Sequence, residues 1–244
     1  MLEIKALHQS FGEVDVLRDV TFTVNEGEFV AILGPSGSGK STLFQLIGGI
    51  LAPKSGAILL HQRPINGEKG HMSYMPQQAS LLPWRTVLQN VVLGQEIQGK
   101  ANKEEAKQWL ARVGLASFEE AYPIELSGGM KQRVAFIRAL LSDRELLCLD
   151  EPFSALDEFT RLEMQTWLLS VWEKHRRSVL FVTHSIEEAI YLADKIVVLT
   201  KRPATVKQVI NVPFARPRQE ALLASAEFIA LKQQLFTLIK EEKA

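Results

Sequence analysis

The stretch Gly34–Thr42, GPSGSGKST, comes directly after the unbroken apolar run Phe29–Leu33 (FVAIL). A short run of that kind reads as a strand buried on both faces. Ser41–Ile50, which follows, reads as a helix stopped by Gly48, Gly49 and Pro53. Gly34-Pro35-Ser36-Gly37-Ser38-Gly39-Lys40-Ser41 thus fills the pattern G-x-x-x-x-G-K-[ST] with strand before and helix after, the setting that gives the pattern its meaning. The glycines let the backbone curl until several N–H groups point into one concavity. The helix N-terminus adds the positive end of its dipole. Lys40 can reach the β- and γ-phosphates, and the Ser41 hydroxyl can sit on Mg²⁺. The loop predicts a site for a mononucleotide triphosphate. By itself it does not predict hydrolysis.

Outward from this loop, the chain reads as a βαβ core interrupted by helices. Strand character is carried by residues 2–7 (LEIKAL), 20–24 (VTFTV), 57–60, 71–75, 145–149, 178–182 and 195–199. After Pro76 the texture changes, and residues 87–140 are mostly helical. Asn102 predicts the cap of a helix over 103–113, with Glu104 and Glu105 in its first turn and Gly114 as its stop. A second helix is expected over 128–141, and others over 159–174 and 185–193. The last stretch, 219–244, predicts one amphipathic helix burying Leu222, Phe228, Leu231, Leu235, Phe236, Leu238 and Ile239. The expected organisation is one α/β domain over 1–244, with its core at 1–77 and 142–202. A helical subdomain is expected at about 78–141 and a C-terminal extension at about 203–244.

Three further features carry chemistry. Leu146-Leu147-Cys148-Leu149-Asp150-Glu151-Pro152 is an apolar strand ending in two acids. Beside a phosphate loop, Asp150 can hold Mg²⁺ directly or through water, and Glu151 can polarise a water for in-line attack on the γ-phosphate. An ordinary acid pair at a loop start is the bland alternative. His184 follows the strand SVLFVT and precedes a helix start; such a histidine is usually structural, but in this company it can hydrogen-bond a γ-phosphate. Ser127-Gly128-Gly129, in LSGGMKQR, opens another helix and by the same logic is an anion site, with a hydroxyl, open N–H groups and a helix dipole. One chain has no evident reason to build two distant cradles for one phosphate tail. A second chain packed head to tail supplies the reason, each ATP lying between Lys40 of one subunit and Ser127 of the other. The alternative is a helix cap with no ligand.

Together these motifs resemble those of the nucleotide-binding subunit of an ATP-binding cassette (ABC) transporter. GPSGSGKST resembles the family's Walker A motif, LLCLDEP its Walker B, and LSGGMKQR its signature sequence. Gln77 in YMPQ looks like the Q-loop glutamine, which in the family touches Mg²⁺ and the attacking water. PFSALD resembles the D-loop, with Asp157 near the dimer axis. His184 looks like the switch histidine, and Phe11 matches the aromatic position that stacks on adenine. The resemblance covers about residues 1–202, with every core motif in order.

It implies a P-loop NTPase (RecA-like) core, an N-terminal antiparallel β subdomain and an inserted helical subdomain. It also implies an intact ATPase using ATP and Mg²⁺. The implied catalytic residues are Glu151, His184 and Gln77, and the implied metal ligands Ser41, Gln77 and Asp150. ATP would be held by Phe11, by Gly34, Pro35, Ser36, Gly37, Ser38, Gly39, Lys40, Ser41 and Thr42, and by Ser127, Gly128 and Gly129. The implied partners are a second such subunit in a homodimer, integral membrane permease subunits and, through them, an extracytoplasmic substrate-binding protein. LLPWRTVLQNV (Leu81–Val91) and NVPFARPR (Asn211–Arg218) resemble importer subunits for nitrate, sulfonate, taurine and thiamine-precursor uptake, and Trp84 is the candidate contact to the permease.

The bulk properties agree. Lys+Arg and Asp+Glu are both 28, so the chain has no overall pull toward nucleic acid, and none is expected as a partner. A soluble cassette acting on nucleic acid or ribosomes, or an export cassette, remains the alternative. The one cysteine, Cys148, lies in an apolar run and reads as a core residue in a reducing compartment. No window approaches the ~18 apolar residues of a membrane span. The expectation is a subunit soluble in isolation that works at the cytoplasmic face of the membrane.

Overall fold

The structure, a computed structural model, describes residues 1–241; positions 242–244 of the helix expected over 219–244 lie outside the described residues. The strands and helices are, in chain order, β1 Leu2–Phe11, β2 Val14–Val24, β3 Phe29–Leu33, α1 Lys40–Ile47, β4 Ser55–Leu60, β5 Arg63–Pro64, β6 Met72–Met75, α2 Val87–Val91 and α3 Leu93–Ile97. Then come α4 Lys103–Arg112, α5 Gly128–Leu141, β7 Leu146–Asp150, α6 Glu158–His175, β8 Ser178–Val182, α7 Ile186–Leu192, β9 Lys195–Leu199, β10 Val206–Asn211 and α8 Ala226–Lys240. They form two compact units: Met1–His71 with the chain from Leu169 onward, and Met72–Leu168.

In the first unit, an antiparallel sheet runs in the order β2-β1-β4-β5. β1 and β2 are longer than the alternation predicts, meeting at a tight turn where Gly12 has φ 58. Register shifts at Ile4/Leu7, Leu7/Gln9 and Gln9/Ser10, with left-handed Ala6 and Asp19, break the period of two on which the prediction relied. In the same unit, β3 pairs in parallel with β8 and β9, and β10 pairs antiparallel with β9. Every residue of β3, β8 and β9 is buried, which explains why these three read as apolar runs rather than as alternating strands. Phe29 opens β3 and packs edge-on against Trp172 (5.7 Å) and Phe181 (5.9 Å).

Within the stretch expected as a C-terminal extension, β10 pairs antiparallel with β9 as far as Asn211. VKQVIN buries only Ile210 and so lacks the pattern of a strand. The stretch 219–241 is not one helix. A 3₁₀ turn at Glu220–Ala224 precedes α8, and the Ser225 hydroxyl caps α8 by accepting from Phe228 N. Phe228, Leu231 and Leu235 are buried as expected, but Phe236 is 58% exposed, and Leu222, Leu238 and Ile239 are only half-buried. One step beyond Leu235 turns the helix by about 100°, off the buried stripe.

In the second unit, β6 and β7 pair in parallel. Thr86 and Gln89 form a capping box on α2, and Asn102 caps α4 as expected. Asn90, fully buried, accepts from Leu82 N and donates to the carbonyls of Leu82, Arg85 and Thr86. It thereby fixes the loop that carries Trp84. Phe136 on α5 meets Trp167 (5.4 Å) and Phe153 (6.2 Å), and Trp109 meets Trp167 at 5.6 Å.

Phe29→Ala removes the ring shared by Trp172 and Phe181 just ahead of the phosphate loop. It is expected to destabilise the protein by about 3–5 kcal/mol, read as a lower midpoint in urea unfolding.

Candidate nucleotide site

The loop Gly34–Gly39 leaves β3 in the first unit and enters α1 at Gly39, whose φ is 103. A Cβ there would stand 2.7 Å from Val16 Cγ1 and 3.0 Å from Leu17 Cδ2, so both the conformation and the space require glycine. No side chain caps α1. Its first N–H groups are therefore left for a ligand or solvent, the arrangement an anion needs. Lys40 is 7% exposed, and its Nζ donates to the carbonyls of Gly34 (2.9 Å) and Pro35 (2.8 Å). The ammonium is thus held inside the loop by neutral acceptors that a phosphate oxygen can replace. Ser36, Gly37 and Ser41 are exposed; Thr42 is half-buried. Phe11, at the end of β1, is 48% exposed.

In the first unit, too, His184 lies between β8 and α7, with its side chain exposed. Its neighbours are fixed: Thr183 Oγ1 donates to the buried Glu188 carboxylate at 2.5 Å and accepts from Ser185 N, while Ser185 caps α7 by accepting from Glu188 N. A helix of seven residues has little stability of its own, so these side-chain bonds decide where it begins.

The second unit holds the acids. Asp150 ends β7 and is 2% exposed, with Tyr74 Oη 3.4 Å away. Burial and this carboxylate push the Tyr74 phenol above its ordinary value, and they do the same to the Cys148 thiol, an inert core residue as expected. Glu151 has φ 48, a strained value for a residue with a side chain, and its Oε2 accepts from Gln77 Nε2 at 3.0 Å. Gln77 and Glu151, expected to act together, are therefore in contact, and the Gln77 amide oxygen remains available to a cation.

Ser127 is exposed at the start of α5, but its hydroxyl is not idle: Oγ accepts from Met130 N at 3.2 Å. Its proton can still be donated to an anion. A Cβ on Gly128 would meet nothing within 4 Å, so its face is open, whereas one on Gly129 would press on Leu156 at 3.2 Å. Asp157 accepts from Thr160 N (3.0 Å) and Thr160 Oγ1 (2.7 Å), bonds that hold its carboxyl below the ordinary range.

Two residues were missed. Gln132, 4% exposed, reaches the carbonyls of Gln77 (3.5 Å) and Glu151 (3.4 Å) with the same amide nitrogen. Arg138 donates to the carbonyls of Ala79 (2.8 Å) and Ser80 (3.0 Å), and burial lowers its pKa. Both lie on α5, which thus supports the backbone on either side of the Gln77–Glu151 pair. The signal was a glutamine and an arginine set into the largely apolar stretch from Val134 to Leu141 and its approach.

The family described as ABC transporter matches residues 17–154 of the 244, from the end of the phosphate loop's wall through both acids. The chain belongs to the ABC transporter family. Within that family it is an ATP-binding subunit, an ATPase coupled to transport. It is 43% identical to an uncharacterised ABC transporter ATP-binding protein of Methanocaldococcus jannaschii, over 94% of this chain and 86% of that one. It is 45% identical to the formylaminopyrimidine import ATP-binding protein ThiZ of Halalkalibacterium halodurans (93% and 91% covered) and 41% identical to the aliphatic sulfonates import ATP-binding protein SsuB of Bacillus cereus (88% and 86%). Among solved structures, the ATP-binding cassette MJ0796, a dimer in a post-hydrolysis state with ADP and Pi, matches with TM-score 0.78 at 28% identity, covering 88% of this chain and all of that one. No helix among the described residues of this cassette is long and apolar enough to cross a membrane.

Arg138→Met is expected to free the carbonyls of Ala79 and Ser80. Amide exchange across residues 77–82 should rise about tenfold or more, while exchange in β3 stays unchanged.

Proposed function

We propose that this cassette powers an importer for a small nutrient of the sulfonate, nitrate, taurine or thiamine-precursor type, working as one of two identical subunits docked on membrane permease subunits. An extracytoplasmic binding protein delivers the cargo to that permease. The observation that carries the nucleotide chemistry is the uncapped start of α1, with Lys40 folded onto its own loop. The relatives named for import of formylaminopyrimidine and of aliphatic sulfonates support the importer reading.

Each residue then has a task. Lys40 exchanges two carbonyls for β- and γ-phosphate oxygens, and the N–H groups of the loop take the rest of the phosphate tail. Ser41, Gln77 and Asp150 offer only hard oxygen donors, a set suited to Mg²⁺ with waters completing its shell. That ion, when bound, neutralises charge on the β- and γ-phosphates. Glu151 accepts the proton of the attacking water, and Gln77 orients that carboxylate through the bond between them. His184 donates to the γ-phosphate, and the Phe11 ring stacks on adenine. The partner's Ser127, with Gly128 and Gly129 of the partner subunit, closes over the γ-phosphate, so ATP is part of the dimer interface. Closure follows binding and reopening follows hydrolysis, since only the triphosphate bridges the two surfaces. The cassette sits at the cytoplasmic face as a peripheral subunit, without nucleic acid as a partner. Its helices over about 78–141 act as the subdomain facing the permease, and Trp84 is the proposed contact. Trp84 is 70% exposed on the loop that Asn90 holds, a bare aromatic on a rigid support.

Glu151→Gln keeps the size and the neighbour of the carboxylate but removes the base. Turnover should fall by about 10²- to 10³-fold, and ATP should hold the protein as a dimer on size exclusion with light scattering. Wild-type turnover by this variant would take Glu151 out of its role. Ser127→Arg fills the open face beside Gly128. Binding of ATP to the monomer should stay within about threefold of wild type, while the ATP-dependent dimer disappears. Dimers that persist would refute the shared site.

A further inference from the structure

NVPFARPR, Asn211–Arg218, leaves the edge strand β10 and has no part in the nucleotide chemistry above, yet it carries two largely buried arginines. Arg218 is 7% exposed. Its Nη1 donates to the carbonyls of Ile190 (2.9 Å), Tyr191 (3.0 Å) and Ala193 (2.8 Å). Arg216 Nη2 donates to the carbonyl of Leu192 at 2.6 Å. The two guanidinium groups thus donate to four consecutive carbonyls at the C-terminal end of α7, the groups a helix leaves without internal partners. They also place positive charge at the negative end of its dipole. Burial and the neighbouring Arg216 lower Arg218 to about 10, so it stays charged at neutral pH.

Arg216 also ties the end of α7 to the strand that leads into the phosphate loop. Arg216 Nε donates to Asp194 Oδ1 at 2.7 Å, and Asp194 Oδ2 accepts from Phe29 N at 3.0 Å. Asp194 N in turn donates to the Phe29 carbonyl at 2.7 Å. The tail itself is pinned, with Arg216 over the Trp172 ring at 4.2 Å and Phe214 stacked on Phe228 at 6.1 Å. α7 spans only seven residues and starts two positions after His184. A helix so short transmits any axial slip of its C-terminal end to its N-terminal end.

We propose that Arg216 and Arg218 are positioning residues for ATP hydrolysis: by clamping the C-terminal carbonyls of α7 and registering them on β3, they fix the reach of His184 toward the γ-phosphate. This rests on reading His184 as a γ-phosphate contact. Neither arginine is among the residues proposed above to meet nucleotide. Their loss should slow the chemical step without weakening ATP binding, because the phosphate loop and Phe11 lie outside the clamp.

The test is steady-state ATPase kinetics on the full chain for Arg218→Met, Arg216→Lys, His184→Ala and the doubles with His184→Ala, each with its melting temperature. Arg218→Met should lower kcat about tenfold and leave KM within about twofold, and Arg216→Lys, which keeps the charge but loses the fork, should lower kcat less. In the His184→Ala background, either arginine change should alter kcat by less than about twofold, since the arginines act through that side chain. A purely structural role would not give this dependence on His184. If Arg218→Met does not fold, Arg216→Lys carries the same comparison. Wild-type kcat in the arginine variants, or losses that multiply on top of a slow His184→Ala enzyme, would overturn the proposal while leaving His184 in place. Wild-type kcat in His184→Ala alone would remove the reading of His184 and this inference with it.

Discussion

The first N–H groups of α1 have no side chain to receive them, because Gly39 stands at the cap with a left-handed backbone and with Val16 and Leu17 too close for even a methyl group. Four other helices show the alternative. Thr86, Asn102, Ser185 and Ser225 each accept an N–H in the first turn of their helices, so those ends are satisfied from within. At α1 the same demand is turned outward, and Lys40 is folded back onto the loop's own carbonyls. β3 makes this possible by being rigid: all five of its residues are buried, and strands flank it on both sides in parallel register. An anion site of bare backbone keeps its shape only on such a base.

The start of α5 lies between these extremes. Ser127 caps the helix and still has a proton to give, and Gly128 leaves its face open. A half-satisfied helix end of this kind is stable without a ligand and can still take one. The far part of the same helix has a different duty. Gln132 and Arg138 hold the backbone around Gln77 and Glu151, and the left-handed backbone at Glu151 needs such support to persist.

The fold and the chemistry were unevenly legible in the sequence. FVAIL, LLCLD and SVLFV announced themselves because strands buried on both faces need no alternation. GPSGSGKST was legible because a phosphate constrains backbone shape, and backbone shape selects glycine. β10 was not legible: a strand with one neighbour and one buried side chain leaves almost no hydrophobic trace. The true extent of β1 and β2 was hidden by bulges, each of which shifts the inward face by one residue. Of the candidate site, the residue types were readable, whereas their supports were not. That Gln77 meets Glu151 depends on a contact between segments far apart in the chain, and that Asn90 holds the loop of Trp84 depends on a local turn geometry that residue types alone do not announce.

The arginines of NVPFARPR also say where this chain can be treated as modular. A residue that donates to the carbonyls of Ile190, Tyr191 and Ala193 is an internal part of the first unit, although it sits well beyond the residues that the family matches. The natural seam therefore falls after Arg218, not after β9. α8 touches the body through α7, as in its Lys232–Glu187 ion pair, and through Lys207. Appended material that begins beyond the seam meets the cassette through a helix already resting on α7, so a sensor grafted there would have a mechanical input without any change to the phosphate loop.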